Sequence, residues 1–357
     1  AIRLRRDLEV PNAHSELELL RHMNALARKN TTTNDIVCFL GAGAYDHYIP
    51  TVIDHLLLRQ EFYTAYTPYQ PEVSQGTLQA IFEYQTLICE LTGMDVANAS
   101  MYDVATALGE AANMACAATR RGEVIVARTV HPQSREVLAT YCKFRDYKVA
   151  ECGYTSRGQL DLSTLEAQIT KDTAAVIVQS PNFLGPIEDL AAIAEVAHKA
   201  GALLIVSVDP ISLAILKSPG ECGADIVVGE GQSMGNSLSY GGPYLGFFAT
   251  TTKLLRSMPG RVVGATTDKF GRRAFVLTMQ TREQHIRRDK ATSNICTNNA
   301  LNALAATIYL SVMGKHGLQE VATQCLHKAH YTYNSLLSTG LFTPVFDAPF
   351  FKEFAVK

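Results

Sequence analysis

Residues 173–209, TAAVIVQSPNFLGPIEDLAAIAEVAHKAGALLIVSVD, predict a strand, a helix and a second strand. The runs 173–180 and 202–209 are almost continuously apolar, and residues 189–200 between them have apolar side chains at helical spacing. Strands that are apolar on both faces and alternate with helices are typical of a parallel sheet covered on both sides. The stretch therefore predicts an α/β fold, in which ligands bind at the carboxyl ends of the strands.

The same alternation of short strands and helices continues on both sides of this unit. Helices are predicted at 71–93, 103–119 and 131–144, and strands at 95–100, 123–127, 147–152, 224–230 and 244–250. Further predictions are a helix at 14–29, a strand at 36–40 and a long helix from Asn299. We expect three regions, namely an N-terminal helix and arm (1–45), a large α/β domain (46–315) and the start of a smaller α/β domain (316–357).

The composition argues against several classes of protein. The 357 residues carry a formal net charge of −2, which does not favour binding to nucleic acid. The apolar runs are shorter than the roughly 18–20 residues of a membrane span. The eight cysteines form no CxxC pair and have no metal-ligand spacing with histidine, so we expect no metal site, no disulfides and a reducing, cytoplasmic location. The chain starts without methionine and stops within a strand-like run, so we expect a longer protein, trimmed at both ends.

The end of the strand at 202–209 raises the question of a pyridoxal phosphate site. Such a site needs a carboxylate at a strand end for the pyridinium nitrogen and a lysine for the Schiff base. Asp209 is a suitable carboxylate, although capping of the following turn is an equally good explanation for it. The loop GEGQSMGNSLSYGGPYLG (229–246) holds Gln232 where the lysine is expected, and an amide nitrogen is not nucleophilic. Lys217 lies too near to Asp209 along the chain to take this role, and Lys290 lies too far from it.

The expected phosphate position is unsuitable as well. Phosphates bind at helix N-termini, and the candidate helix begins in NASMYDVATALGEA (98–111) with Ser100 or Asp103 as the N-cap. A carboxylate at Asp103 would repel a dianionic phosphate, and Met101 and Tyr102 would crowd it. Both ends of the cofactor site are therefore predicted to be vestigial.

Two further segments combine aromatic and polar side chains. An arm at 63–76 and a basic block at 280–298 are candidates for a binding or interface role, with a packed structural arm and a solvated charged face as the alternatives. The residues that we single out are Tyr63, Tyr66, Tyr69, Gln70, Glu72 and Gln75 in the arm, and Arg282, His285, Arg287 and Asn294 in the block.

These stretches resemble a known family. TAYTPYQPEVSQG (64–76), NASMYDVATALGEA (98–111), QTREQHIRRDKATSNICTN (280–298) and PFFKEFAV (349–356) are similar to the P-proteins of the glycine cleavage system, in particular to the non-catalytic α chain of two-chain P-proteins. The similarity extends over the whole chain. It implies a pyridoxal-phosphate-dependent transferase-like fold of type I, like that of aspartate aminotransferase, with a mostly parallel sheet.

The resemblance also implies the function and the partners. A homologous β chain carries pyridoxal phosphate on a lysine that precedes a Gly-Gly-Pro, and matching this tripeptide to Gly241, Gly242 and Pro243 places Gln232 at the lysine position. The complete α2β2 enzyme, an oxidoreductase, decarboxylates glycine and passes the aminomethyl group to the lipoyl arm of the H-protein. This chain is then expected to bind no cofactor, to be inactive alone and to contribute the arm and the block to the rim of the partner's site.

Two alternatives remain open at this stage. The chain could be an autonomous pyridoxal phosphate enzyme that uses an unusual lysine such as Lys290. It could also be a stand-alone scaffold or regulatory protein of this fold without glycine activity.

Overall fold

A computed structural model describes residues 3–295 and 297–357, so Cys296 lies outside the described residues. The chain divides into two compact units, Ala1–Gly41 and Ala42–Lys357. In the first unit, helix α1 (Glu16–Ala27) begins at Ser15. The Ser15 hydroxyl accepts from the Glu18 N–H at 3.4 Å, and the Glu18 carboxylate accepts from the Ser15 N–H at 2.9 Å. This reciprocal capping box confirms the helix predicted at 14–29.

The strand predicted at 36–40 is wrong. Residues 37–40, which the structure describes, have no regular secondary structure, and the side chains of Phe39 and Leu40 are exposed. An apolar run forms a strand only where a neighbouring strand takes up its backbone hydrogen bonds, and short-range pattern does not reveal whether a neighbour exists.

The second unit consists of a seven-stranded sheet, a two-stranded sheet and the surrounding helices. The helices are α2 (Val52–Leu57), α3 (Gln60–Tyr63), α4 (Gln75–Thr92), α5 (Val104–Thr119), α6 (Pro132–Lys143), α7 (Leu162–Gln168), α8 (Leu190–Lys199), α9 (Gln284–Arg287) and α10 (Ala300–Ser338). The strands are β1 (Val96–Ala97), β2 (Glu123–Ala127), β3 (Lys148–Cys152), β4 (Thr173–Ser180), β5 (Leu203–Val208), β6 (Ile226–Glu230), β7 (Gly246–Thr250), β8 (Val262–Thr267) and β9 (Arg273–Thr278).

The large sheet has the order β1-β7-β6-β5-β4-β2-β3. The five strands from β6 to β3 are parallel, whereas β7 is antiparallel to both β6 and β1. Strand β4 is buried along almost its whole length, as its uninterrupted apolar sequence predicts. Each fully buried valine or isoleucine stabilises the fold by about 1.5–3 kcal/mol. The mostly parallel sheet predicted from residues 173–209 is confirmed.

Helix α5 lies against the sheet because its inner face is built from small residues. Ala107, Ala111 and Ala112 are completely buried, and the helix contacts β4, β5, β6 and β7. On another side, Gly109 faces the ring of Tyr141 from α6, where an added Cβ would lie 2.7 Å from the ring. The close approach of α5 to its neighbours fixes the position of its N-terminus at the carboxyl edge of the sheet.

The β8–β9 hairpin is attached to α4 by two glutamines. The Gln85 side chain donates to the Val263 carbonyl and accepts from the Val263 N–H, each at 2.9 Å. Gln75 makes the same pair of bonds with Phe275, at 2.8 and 2.9 Å. Because the arm at 63–76 leads into α4, these bonds also hold the end of the arm.

The long helix predicted from Asn299 is present and is interrupted at Gly314, which has a φ of 57°. A glycine tolerates this left-handed backbone, which a side chain would strain. After α10, the segment 341–357 runs back over the unit with isolated bridges from Pro344 to Val356 and from Pro186 to Phe350. The boundaries at 45 and 315 stay predictions. None of the helices among the described residues is long and apolar enough to cross a membrane.

Candidate functional site

Two acidic residues lie at the ends of neighbouring strands, at the carboxyl edge of the sheet. In the parallel pairing of β5 and β6, Val208 lies opposite Gly229, and the residues that follow them are Asp209 and Glu230. Both side chains are largely buried. This is the edge at which ligands of parallel sheets bind, so the surroundings of the two carboxylates decide whether a cofactor fits.

Asp209 is paired with a lysine of the same chain. The Lys352 ammonium lies 2.5 Å from Asp209 Oδ2, and Oδ1 accepts from the Ile211 N–H at 2.9 Å. Burial alone would raise the pKa of Asp209, but the Lys352 ammonium, together with smaller contributions from His47 and the Ile211 N–H, more than offsets this effect, and the pKa lies below its usual value. In the same way, burial alone would lower the pKa of Lys352, but Asp209 holds it above its usual value. Both groups are therefore charged at neutral pH.

Two segments enclose this ion pair. Tyr45 donates a short hydrogen bond to the Glu353 carboxylate, and the Lys352 ammonium lies 5.2 Å from the centre of the Tyr45 ring. Burial and the adjacent ammonium lower the pKa of His47 to about 4, so this ring is neutral at pH 7. None of these four residues is among the site residues predicted from the sequence. The one local signal was the Lys-Glu pair inside the aromatic run PFFKEF (349–354).

Gln232, at the predicted lysine position, is part of its own loop. Its side chain is only 4% exposed, and Nε2 donates to the Asn236 carbonyl at 2.7 Å. The Gln232 N–H donates to Glu230 Oε1 at 3.2 Å. The side chain thus stabilises the turn between β6 and β7. Its amide nitrogen is not a nucleophile and cannot form a Schiff base.

The N-terminus of α5 is capped by carboxylates. Of the two predicted N-cap residues, Asp103 is the N-cap, and its Oδ1 accepts from the Thr106 N–H at 2.8 Å. Glu230 Oε2 accepts from the Val104 N–H at 3.2 Å. The donors that a phosphate would use at a helix N-terminus are thereby engaged, and a phosphate there would meet the Asp103 carboxylate and the buried Glu230 side chain. Met101 is fully buried.

Pyridoxal phosphate does not fit these residues. The strand-end carboxylate is already neutralised by Lys352, the predicted lysine position holds Gln232, and the helix N-terminus is occupied by Asp103 and Glu230. Each of the three contacts that would hold the cofactor is replaced by a contact within the chain.

Glu230 gives a prediction for the dependence of stability on pH. Burial raises its pKa to about 7 against a usual value of 4.5, although it accepts N–H groups from Leu245, Val104 and Gln232. The folded state therefore retains a proton that the unfolded state loses, and the stability from this group is lost as pH rises through 7. Between pH 4.5 and 8, we expect wild type to lose about 3 kcal/mol of unfolding free energy relative to Glu230→Gln. Urea denaturation at several pH values measures this difference.

A constant difference between wild type and Glu230→Gln over this range would contradict the prediction. Glu136→Gln, which changes an exposed carboxylate on α6, is the matched control for the substitution itself.

The arm at 63–76 divides into exposed and attached residues. Tyr63 and Tyr66 are 64% and 83% exposed, and Gln70 and Glu72 are exposed beside them. Gln75, by contrast, is turned towards the β8–β9 hairpin. The tyrosines line a cavity of about 470 Å³ between the arm and the beginning of α10.

The basic block meets the arm at Tyr69. The Tyr69 hydroxyl accepts from Arg261 Nη2 at 3.1 Å, and the rings of Tyr69 and His285 are in edge contact at 5.8 Å. His285 also lies 3.6 Å from the Glu283 carboxylate. Arg282 points inward, where Nη2 donates to the Gly260 carbonyl at 2.7 Å. These contacts bring the two predicted segments together around a second cavity, of about 430 Å³.

Other members of the block remain at the surface. Arg287 and Asn294 are exposed, and Arg287 Nε donates to the Thr281 carbonyl at 3.1 Å. Lys290 lies in an exposed 3₁₀ turn. A role of these residues at the rim of a partner's site stays a prediction.

The comparisons with known proteins agree on one family. The family described as glycine cleavage system P-protein matches residues 1–357. A protein of Desulforamulus reducens named probable glycine dehydrogenase (decarboxylating) subunit 1 is 61% identical over 356 residues, which cover 100% of this chain and 80% of that protein. The solved structure of inhibitor-bound glycine decarboxylase (P-protein) of the glycine cleavage system has a TM-score of 0.94 and 46% identity, covering 99% of this chain and 79% of that one.

More distant structures share the fold alone. Sphingosine-1-phosphate lyase of Burkholderia pseudomallei is 12% identical, with a TM-score of 0.68 over 97% of this chain and 79% of that one. Together, the near and distant matches confirm the predicted pyridoxal-phosphate-dependent transferase-like fold of type I.

Proposed function

The chain belongs to the glycine cleavage system P-protein family, and we propose that it is the non-catalytic subunit 1 of a two-subunit glycine dehydrogenase (decarboxylating). A homologous β subunit binds pyridoxal phosphate and supplies the chemistry, in an α2β2 assembly in the cytoplasm. The complete enzyme decarboxylates glycine and transfers the aminomethyl group to the lipoyl arm of the H-protein. This chain binds no cofactor and is inactive alone.

The environment of Gln232 is the observation that carries the proposal. Position 232 holds an amide that is hydrogen-bonded to its own loop, and the two flanking contacts for the cofactor are engaged within the chain. A family member whose cofactor contacts are all replaced retains the fold but needs another chain for the reaction. The free cysteines among the described residues accord with a reducing compartment.

We place the partner on the surface that contains the arm. The exposed rings of Tyr63 and Tyr66 and the exposed Leu301 border the 470 Å³ cavity at the beginning of α10. Tyrosines are enriched in interfaces, because they bury a large area at little cost in conformational entropy and carry a polar tip. On this surface, the arm and the block supply residues to the rim of the partner's active site.

Three asparagines form the polar wall of this cavity. Asn299 Nδ2 donates to the carbonyl oxygens of Tyr102 and Tyr244 at 2.8 and 2.7 Å, and Asn298 and Asn302 also donate to backbone carbonyls. Because the amide nitrogens are held in this way, the side-chain oxygens serve as acceptors for N–H groups of the partner. The exposed side chains of Arg287 and Lys290 supply positive charge for an acidic segment of the partner. 

A single lysine at position 232 is not expected to create a cofactor site. In Gln232→Lys, Lys352 still neutralises Asp209 and the carboxylates of Asp103 and Glu230 still cap α5. We therefore expect no visible absorbance from lysine-bound pyridoxal phosphate and no borohydride-stable adduct at residue 232 above the wild-type background. Absorbance spectra and peptide mapping after reduction measure both.

One reduced cofactor per chain at residue 232 of this variant would contradict the prediction. An adduct at Lys290 of the wild-type chain would instead support the autonomous enzyme and overturn the proposed function.

A further inference from the structure

The ion pair between Lys352 and Asp209 is built into a rigid part of the fold. Lys352 lies between aromatic residues that anchor its segment to α10. The rings of Phe350 and His330 are stacked at 4.0 Å, and Phe354 and Tyr333 are in edge contact at 5.1 Å. The opposite end of the pair, Asp209, is fixed by the end of β5 and by the bond from Ile211.

The same segment is also attached to the loop after β4. The Ile187 N–H donates to the Pro349 carbonyl at 2.9 Å, and Pro186 forms a bridge with Phe350. Gly185 has a φ of 109°, and an added Cβ there would lie 2.4 Å from the Glu353 carbonyl oxygen. The backbone of the segment therefore lies against the carboxyl edge of the sheet. The Lys352 side chain starts from this fixed backbone and is itself largely buried.

We propose that Asp209 is a cation site and that Lys352 is the cation built into the chain to fill it. The inference rests on the proposed function, because it explains how a chain without the cofactor compensates the carboxylate that would face a protonated pyridine nitrogen. A carboxylate buried without a counter-ion is strongly destabilising, and an ammonium at 2.5 Å offsets much of this penalty.

The site takes a small cation with at least one N–H donor. Asp209 Oδ2 is the acceptor for the ammonium, while Oδ1 is engaged by the Ile211 backbone. The faces of the Tyr45 and Phe351 rings, at 5.2 and 5.9 Å from the ammonium, favour a cation further. Once the lysine side chain is removed, a primary ammonium such as methylammonium matches this arrangement.

The test is chemical rescue of Lys352→Ala. The thermal midpoint of this variant is measured with methylammonium chloride and with sodium chloride at equal ionic strength. We expect methylammonium to raise the midpoint of Lys352→Ala relative to sodium chloride and to leave wild type unchanged. Asp209→Asn/Lys352→Ala is the control, and it should show no difference between the two salts because the carboxylate that binds the ammonium is replaced by a neutral amide.

Equal midpoints of Lys352→Ala in the two salts, or the same methylammonium effect in the double variant, would overturn the inference. If Lys352→Ala does not fold, Lys352→Met and Asp209→Asn/Lys352→Met take its place, and failure of the neutral double variant to recover a native transition overturns it as well. Failure of the proposed function has a different signature, namely attachment of pyridoxal phosphate to a lysine of the wild-type chain.

Discussion

Lys352→Met is expected to lower the free energy of unfolding by about 3–5 kcal/mol, because it leaves the Asp209 carboxylate buried without its counter-ion. Methionine keeps most of the volume and the apolar stem of lysine, so the loss reports charge and not a cavity. In the wild-type chain Lys352 is the charged partner of Asp209, since burial and the Lys352 ammonium lower the pKa of His47 to about 4. Urea denaturation at pH 7 measures the difference.

The neutral pair Asp209→Asn/Lys352→Met is the control for this prediction. Replacing both charges removes the uncompensated carboxylate, so we expect the double variant to recover most of the stability that Lys352→Met loses. A Lys352→Met variant as stable as wild type would show that the ion pair does not compensate Asp209.

Tyr63→Ala/Tyr66→Ala is expected to weaken association with the catalytic partner by roughly 30-fold, or about 2 kcal/mol. Both rings are mainly exposed in the isolated chain, so their removal should leave its thermal midpoint unchanged. Their contribution appears only when the partner covers them, as for tyrosines at the centre of an interface. Titration of the variant with the partner subunit, by calorimetry or by recovery of activity, measures the effect.

Tyr331→Ala is the matched control. Tyr331 is 75% exposed and lies on the later part of α10, outside the proposed surface. We expect its removal to leave association unchanged. If both variants bind the partner with wild-type affinity, the arm is not part of the interface.

Local sequence patterns predicted those parts of the fold that depend on neighbours in the chain. The strands and helices of residues 173–209 follow from their apolar spacing, and the cap at Asp103 follows from the preference of carboxylates for helix N-termini. The assignment of Gln232 to the lysine position came from its spacing from Asp209 and from the family resemblance at Gly-Gly-Pro, and it stays a prediction. These features require no knowledge of contacts between distant residues.

The compensating charges could not be predicted in the same way. Lys352 reaches Asp209 from a segment far along the chain, and nothing in the strand that ends at Asp209 indicates where its counter-ion lies. Glu230 is similar, because a carboxylate after an apolar strand is usually solvated, whereas here it accepts N–H groups from two other segments. The strand prediction at 36–40 is wrong for the same kind of reason, because the sequence does not show whether a neighbouring strand is present.

The inward orientation of some predicted rim residues also depends on tertiary contacts. Gln75 and Arg282 are long polar side chains in segments rich in surface residues, yet both bind backbone groups of other elements. Tyr66 and Arg287, which belong to the same two segments, are exposed. Residue type therefore predicts that a segment is polar, but packing decides which of its members face solvent.

Glycine–bicarbonate exchange with defined subunits tests the central claim most directly. The purified chain is assayed with pyridoxal phosphate and H-protein, first alone and then with the β subunit of the same system. We predict no exchange by this chain alone, full exchange with the β subunit, and reduced cofactor found only on the β subunit after borohydride treatment. Exchange by this chain alone, or no increase in exchange when it joins the β subunit, would contradict the account.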